Sequence, residues 1–149
     1  MTARDELRAA LDAIEGAYEF FLAYAAQGMS TESEGSRVAG QFRRYIDGMA
    51  GAVDRIPALL DRLMDEEDFA APERLRAFGE VLKADAIRAS AAIEVVRAQT
   101  FASSQLVDNL NASVHVRTLL TDTFLLDELL GLGVDISYGG SEGAGTSVT

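Results

Sequence analysis

Residues 38–63 read VAGQFRRYIDGMAGAVDRIPALLDRL, and this stretch decides the fold class. Its apolar side chains return at intervals of three and four residues, which places them on one face of an α-helix. They are Val38, Phe42, Tyr45, Met49, Ala52, Ile56, Leu59 and Leu63. Pro57 lacks a backbone N–H but leaves the phase of the apolar stripe unchanged. We therefore expect a kinked helix here, or two short helices in line.

Three further segments carry the same helical period. Thr2 and Asp5 form a capping box ahead of the first segment, which should end near Gly28. Pro72 suits the first position of the next helix, and residues 105–130 form the last. Four such segments joined by short linkers predict an all-α protein, an antiparallel up-down-up-down four-helix bundle with a kinked second helix.

The connections and the tail complete the predicted organisation. Residues 100–104 contain neither glycine nor proline, so a single long helix across them is an alternative. We favour a turn there, because Ser103 and Ser104 are good N-cap residues. Residues 137–149 are rich in glycine and serine, which favours a flexible chain. The predicted division is therefore a helical bundle over residues 1–136 and a flexible tail over residues 137–149.

Composition excludes several classes of function. The 149 residues include no cysteine, so disulfides, thiolate catalysis and zinc–cysteine sites are ruled out. A formal net charge of −11 repels phosphate backbones and anionic lipids, so we expect neither nucleic acid nor membrane as a partner. The beginning of the chain lacks the apolar stretch of a signal peptide, and we expect a cytoplasmic protein.

Residues that could carry catalysis are few. His115 is the only histidine, and Ala112 stands where a Glu-x-x-His metal motif requires glutamate. Asp108, Asn111, His115 and Asp122 share one side of the predicted last helix, which is typical of a solvated helix face. No glycine-rich phosphate loop leads from a strand into a helix. We therefore predict no enzymatic activity, no cofactor and no metal.

Two charged features stand out from the apolar pattern. Asp85 and Arg117 each interrupt an apolar stripe on helices that should be neighbours. Because a lone buried charge is costly, we predict an ion pair between them, buried or half-buried. The alternative is that each side chain reaches solvent separately. The acidic run at residues 65–68 is interpreted as a solvated loop.

The end of the last helix is unusually rich in leucine. From Leu119 onward, leucine occurs on nearly every side, and a helix that is apolar all round is normally buried all round. One bundle layer cannot bury it completely, so we predict an interface with a second copy, in a homodimer, or with another protein. The predicted interaction residues are Leu119, Leu126, Leu129, Leu130 and Leu132. The alternative is that residues 134–136 fold back over these leucines.

These features favour a non-enzymatic interaction module, meaning an adaptor, assembly factor or regulator. The core side of the last helix is then expected to carry Leu120, Phe124 and Leu125. The runner-up is a bundle that binds a small ligand or cofactor. Gly40, Gly48 and Gly51 are interpreted as letting another backbone come close, and under the runner-up they would instead form the thin wall of a pocket.

Overall fold

The computed structural model describes residues 1–132 as five α-helices. They are α1 (Ala3–Ala26), α2 (Ser36–Glu66), α3 (Pro72–Arg97), α4 (Ser104–Ala112) and α5 (Val114–Leu130). The only bridge of β type over these residues is an isolated one between Ser30 and Ser103, so the all-α prediction is confirmed. The prediction of four helices is wrong, because the last one is broken in two. The predicted boundary at residue 136 and the tail over residues 137–149 lie outside the described residues.

Local hydrogen bonds explain where α1 begins and ends. The Thr2 hydroxyl accepts the Asp5 N–H at 3.1 Å, and the Asp5 carboxylate accepts the Thr2 N–H at 3.4 Å. At the other end, Gly28 has a φ of +64°, a left-handed conformation that glycine adopts at low cost. This turn directs the Met29 N–H to the Tyr24 carbonyl at 3.1 Å. Both predicted ends of the first helix are therefore confirmed.

The apolar stripe of α2 forms much of the core. Its predicted members are all buried except Tyr45, which is 38% exposed and stacks on Phe20 with the ring centroids 4.2 Å apart. Full burial of a large apolar side chain contributes about 1.5–3 kcal/mol, which outweighs the cost of the glycines in this helix. The helix runs through Pro57 without interruption, so the alternative of two short helices is wrong.

Contacts between polar side chains show how α2 and α3 run. Lys83 Nζ lies 2.6 Å from an Asp61 oxygen, and Arg97 Nε lies 2.7 Å from an Asp47 oxygen. Residue numbers rise along α3 as they fall along α2, so these two helices are antiparallel. Along the rest of the described chain, α4 packs mainly against α1 and α5 packs mainly against α3.

The interpretation of residues 65–68 as a solvated loop holds only in part: Asp65, Glu66 and Asp68 are exposed, but α2 extends to Glu66, and two of the four side chains contact α1. Both Glu66 carboxylate oxygens lie 3.1 Å from the Ala3 backbone N–H. Glu67 pairs with Arg4 at 2.7 Å, and this hydrogen bond holds the pKa of the Glu67 carboxyl below its usual range. The first N–H groups of a helix have no partner inside the helix and attract carboxylates. The end of α2 thus fastens the start of α1.

Two breaks define the last part of the described chain. The predicted turn after α3 is confirmed, because α3 ends at Arg97 and the Ser103 hydroxyl caps α4 by accepting the Leu106 N–H at 3.0 Å. The second break is at Ser113, whose extended backbone (φ −56°, ψ 125°) separates α4 from α5. On the two sides of this break, α4 and α5 pack against different neighbours.

Candidate interaction surface

The break at Ser113 changes which leucines of α5 face the core. Leu119 and Leu126 are each 1% exposed and Leu132 is 2% exposed, so their predicted outward positions are wrong. Leu130 is half-buried, and Leu129 alone among the predicted interaction leucines is widely exposed, at 59%. The prediction assumed one continuous helix. Because the helix is broken, α5 can rotate relative to α4. The residues of α4 that are buried therefore do not predict which residues of α5 are buried.

The outer side of α5 carries a different apolar set. Phe124 and Leu125, which were expected in the core, are 39% and 49% exposed, whereas Leu120 is buried as expected. At about 100° per residue, Leu125 and Leu129 share one side of the helix with Val114, which is 65% exposed. This side of α5 therefore presents branched aliphatic side chains to water.

A second row of exposed aliphatic side chains lies along α3. Val81 and Val95 are 53% and 62% exposed and are two heptads apart, with Arg88 midway between them. Asp85 lies on the same side of the helix, one turn from Arg88. The row therefore has an apolar residue at each end and charged residues in the middle.

An acidic pair joins the two rows. The carboxyl groups of Asp85 on α3 and Asp122 on α5 face each other closely enough to influence one another's ionisation, and a hydrogen bond between them requires a proton on one of the two. Arg88 Nη1 lies 3.2 Å from Asp85 Oδ1. The predicted ion pair between Asp85 and Arg117 is wrong, because Arg117 is exposed and Asp85 has these other neighbours.

Burial raises the pKa of Asp122 to about 7, and the Asp85 carboxyl adds to the shift through its hydrogen bond and its negative charge. Asp122 Oδ2 is shielded from water and accepts no hydrogen bond from a donor of the described chain. Below pH 7, Asp122 is therefore mostly protonated and can donate a hydrogen bond to Asp85. The charge of Asp85 is balanced by Arg88, so this group of three side chains has no net charge below pH 7.

The direction in which α5 runs determines which exposed residues of α3 and α5 lie near each other. The Leu130 carbonyl, at the end of α5, accepts a hydrogen bond from Arg4 Nη1 at 2.5 Å. Arg4 also pairs with Glu67, five residues before Pro72 opens α3. The end of α5 therefore lies near the start of α3, and the two helices are antiparallel. Val81 consequently lies towards Leu125 and Leu129.

We call this surface the α3–α5 face. It comprises Val81, Asp85, Arg88 and Val95 of α3 with Val114, Asp122, Leu125 and Leu129 of α5. Sequence reasoning identified Leu129 and the unusual position of Asp85 but missed the valines. The heptad spacing of Val81, Arg88 and Val95, beside the buried stripe, was the available signal for them.

The remaining predicted polar stripe is divided by the same break. His115 and Asp108 are exposed, while Asn111 is only 6% exposed. No group of three or more His, Cys, Asp or Glu residues in the described chain has the spacing to hold a metal ion. Among the described helices, none has the length and apolar character required to cross a membrane.

The α3–α5 face thus combines exposed aliphatic side chains with the charged pair of Asp85 and Arg88 at its centre. It lacks a nucleophile paired with a base. No protein-family model, curated protein or solved structure matches this chain.

Proposed function

We propose that this protein is a non-enzymatic interaction module that associates with a second copy of itself through the α3–α5 face. One observation carries the proposal: exposed aliphatic side chains follow two packed helices, α3 and α5, on both sides of the facing carboxyl groups of Asp85 and Asp122. The scaffold we propose is an antiparallel four-helix bundle in which α4 and α5 together take the place of the fourth helix. Cytoplasmic location stays a prediction from the sequence.

The pattern of the face favours a second copy as the partner. A homodimer with two-fold symmetry presents the same surface from both protomers, so that surface must complement itself. The α3–α5 face is apolar at both ends and charged in the middle. In a dimer whose two-fold axis lies in the interface, either along the helices or across them, the apolar ends of one face contact the apolar ends of the other. The charged centres of the two faces then contact each other. Arg88 of one protomer then faces the carboxyl groups of its partner.

Charge also favours this face over the rest of the surface. Two chains that each carry a net charge of −11 repel each other, so they can meet closely only where the charge is locally balanced. Asp85, Arg88 and protonated Asp122 provide that balance at the centre of the face. The adjacent aliphatic side chains contribute about 25 cal/mol for each Å² removed from water on association.

Sedimentation equilibrium at micromolar concentrations tests this proposal. We expect the wild type to be a dimer and Leu129→Glu to be largely monomeric, with association weakened by at least about tenfold, since a buried charge without a partner is costly. Because Leu129 is exposed in the monomer, the variant should keep its fold, whereas Leu126→Glu would disrupt the core.

Leu22→Glu is the matched control, because Leu22 is a similarly exposed leucine, at 46%, on α1. It should dimerise like the wild type. A monomeric wild type, or equal association of the wild type and Leu129→Glu, would reject the α3–α5 face as the interface.

The runner-up from the sequence, a ligand pocket walled by the glycines of α2, has little support. Gly40, Gly48 and Gly51 are exposed, and a Cβ atom built at each would meet no atom within 4 Å. Within residues 1–132, no other backbone comes close to these glycines, contrary to what their small size had suggested. At these three positions α2 faces open solvent and does not form the wall of a pocket.

A further inference from the structure

A cleft lies between α1 and α4, away from the α3–α5 face. Its volume is about 400 Å³, within the range of pockets that hold small organic molecules. The α1 side is formed by Leu22, Ala25 and Ala26. The α4 side includes Gln105, Asp108 and Asn111. One side of the cleft is therefore apolar and the other is polar.

Asn111 is the unusual residue in this cleft. The side chain is 94% removed from solvent, since its exposure is 6%, and neither Nδ2 nor Oδ1 has a hydrogen-bond partner or contact with water. The large majority of buried polar side-chain atoms are hydrogen-bonded, so an amide that lacks both partners is an exception that needs an explanation. A ligand that supplies both partners is such an explanation.

We propose that the α1–α4 cleft binds a small uncharged molecule in which an amide group is joined to an apolar body. Asn111 Oδ1 accepts the N–H of the ligand, and Nδ2 donates to its carbonyl oxygen. A cyclic amide is the best geometric match, because its N–H and C=O point to the same side and can pair with both Asn111 atoms at once. The apolar body then covers the alanines and the exposed Leu22.

The edge of the cleft determines the charge of the ligand and its path of entry. Asp108 is exposed at this edge, and together with the acidic surface it disfavours an anion. Both amide atoms of Asn111 are closed to solvent, so a ligand reaches them only after neighbouring side chains move. Gln105 and Asp108 line the same cleft and are exposed, so they can move at little cost. The inference does not rest on dimerisation, because the cleft and the α3–α5 face share no residue.

Titration of 2-piperidone, a six-membered cyclic amide, into ¹⁵N-labelled full-length protein tests the proposal by NMR. We expect saturable shifts of the Asn111 side-chain NH₂ signals, with a dissociation constant on the order of millimolar for so small a ligand. N-methyl-2-piperidone has the same ring but no N–H, and it should bind about tenfold more weakly, since one hydrogen bond is lost.

Variants separate a ligand site from a structural defect. Asn111→Leu should lose the 2-piperidone response, followed through the backbone signals of α1 and α4. Asn109→Leu, an exposed asparagine on the same helix, should keep it. Leu22→Glu provides a second test, because it alters the apolar wall and leaves Asn111 in place; it should weaken the response.

The absence of a saturable shift in the wild type up to the solubility of 2-piperidone would overturn the proposal. Equal affinity for the N-methyl analogue, or an unchanged response in Asn111→Leu, would do the same. In either of these last cases the probe would be held by apolar contact and the Asn111 amide would have no part in recognition.

Discussion

Asp122 shows how one residue links folding to pH. In the unfolded chain an aspartic acid ionises with its ordinary pKa of 3.8, whereas in the folded protein burial raises the pKa of Asp122 to about 7. Between these two values the folded state holds a proton that the unfolded state has released. The contribution of Asp122 to stability is therefore lost as the pH rises from about 4 to 7, and it is constant at its lower level above that range.

Replacing Asp122 by asparagine should remove this loss, because the amide is neutral at every pH and still donates a hydrogen bond to Asp85. We expect Asp122→Asn to raise the free energy of unfolding by about 1–3 kcal/mol at pH 8 and by much less at pH 4. Urea unfolding at the two pH values measures the difference. Asp108→Asn, at an exposed aspartate, is the control and should show no comparable dependence. A gain from Asp122→Asn that is equal at both pH values would contradict this description of the pair.

At the scale of elements, the glycines of α2 are the clearest feature that packing does not explain. Gly48 and Gly51 are exposed within a continuous helix, and a Cβ atom at either position would lie in open space. Glycine lowers helix stability relative to alanine by roughly 0.5–1 kcal/mol, chiefly because the unfolded chain is more flexible. These positions therefore weaken α2 without a compensating contact.

Gly48→Ala and Gly51→Ala should each raise the free energy of unfolding by about 0.5–1 kcal/mol, measured by urea denaturation. The matched control is Gly28→Ala, which should destabilise the protein, because Gly28 has a φ of +64° that a side chain disfavours. If either α2 substitution were destabilising, its glycine would be needed for a contact beyond the described chain, and our explanation would be wrong.

The sequence predicted the first three helices well because each carries a long buried stripe and a clear signal at its start or end. Thr2 and Gly28 set the limits of α1, and Pro72 opens α3. The break at Ser113 carries no glycine or proline and was missed. It depends on α4 packing against α1 while α5 packs against α3, which is a tertiary effect.

The missed break at Ser113 explains most of the errors in the predicted interaction site. With one continuous last helix, Leu126 was expected outside and Leu125 inside, which is the reverse of their positions. The same assumption made Arg117 the expected partner of Asp85. The position of Asp85 in an otherwise apolar stripe was still a useful signal, since the carboxyl is half-buried and has a partner across the helix interface.

On the scale of the whole molecule, acidity and association oppose each other. A net charge of −11 keeps copies apart, and the α3–α5 face is where that repulsion is locally cancelled. Raising the pH through 7 removes the Asp122 proton and adds a negative charge to the centre of the face. The proposed dimer is therefore expected to be strongest below pH 7, which sets the conditions under which its interface is best observed.

The most direct measurement of the interface is an isotope-filtered NOE experiment at pH 6 on an equal mixture of ¹³C-labelled and unlabelled protein. Only contacts between copies give signals, so the experiment identifies both the partner and the surface. We predict intermolecular NOEs from the Leu125 and Leu129 methyl groups to valine methyl groups of the α3–α5 face, and none from Leu22. Intermolecular NOEs that involve Leu22 but not Leu129, or no intermolecular NOE at millimolar concentration, would contradict the account.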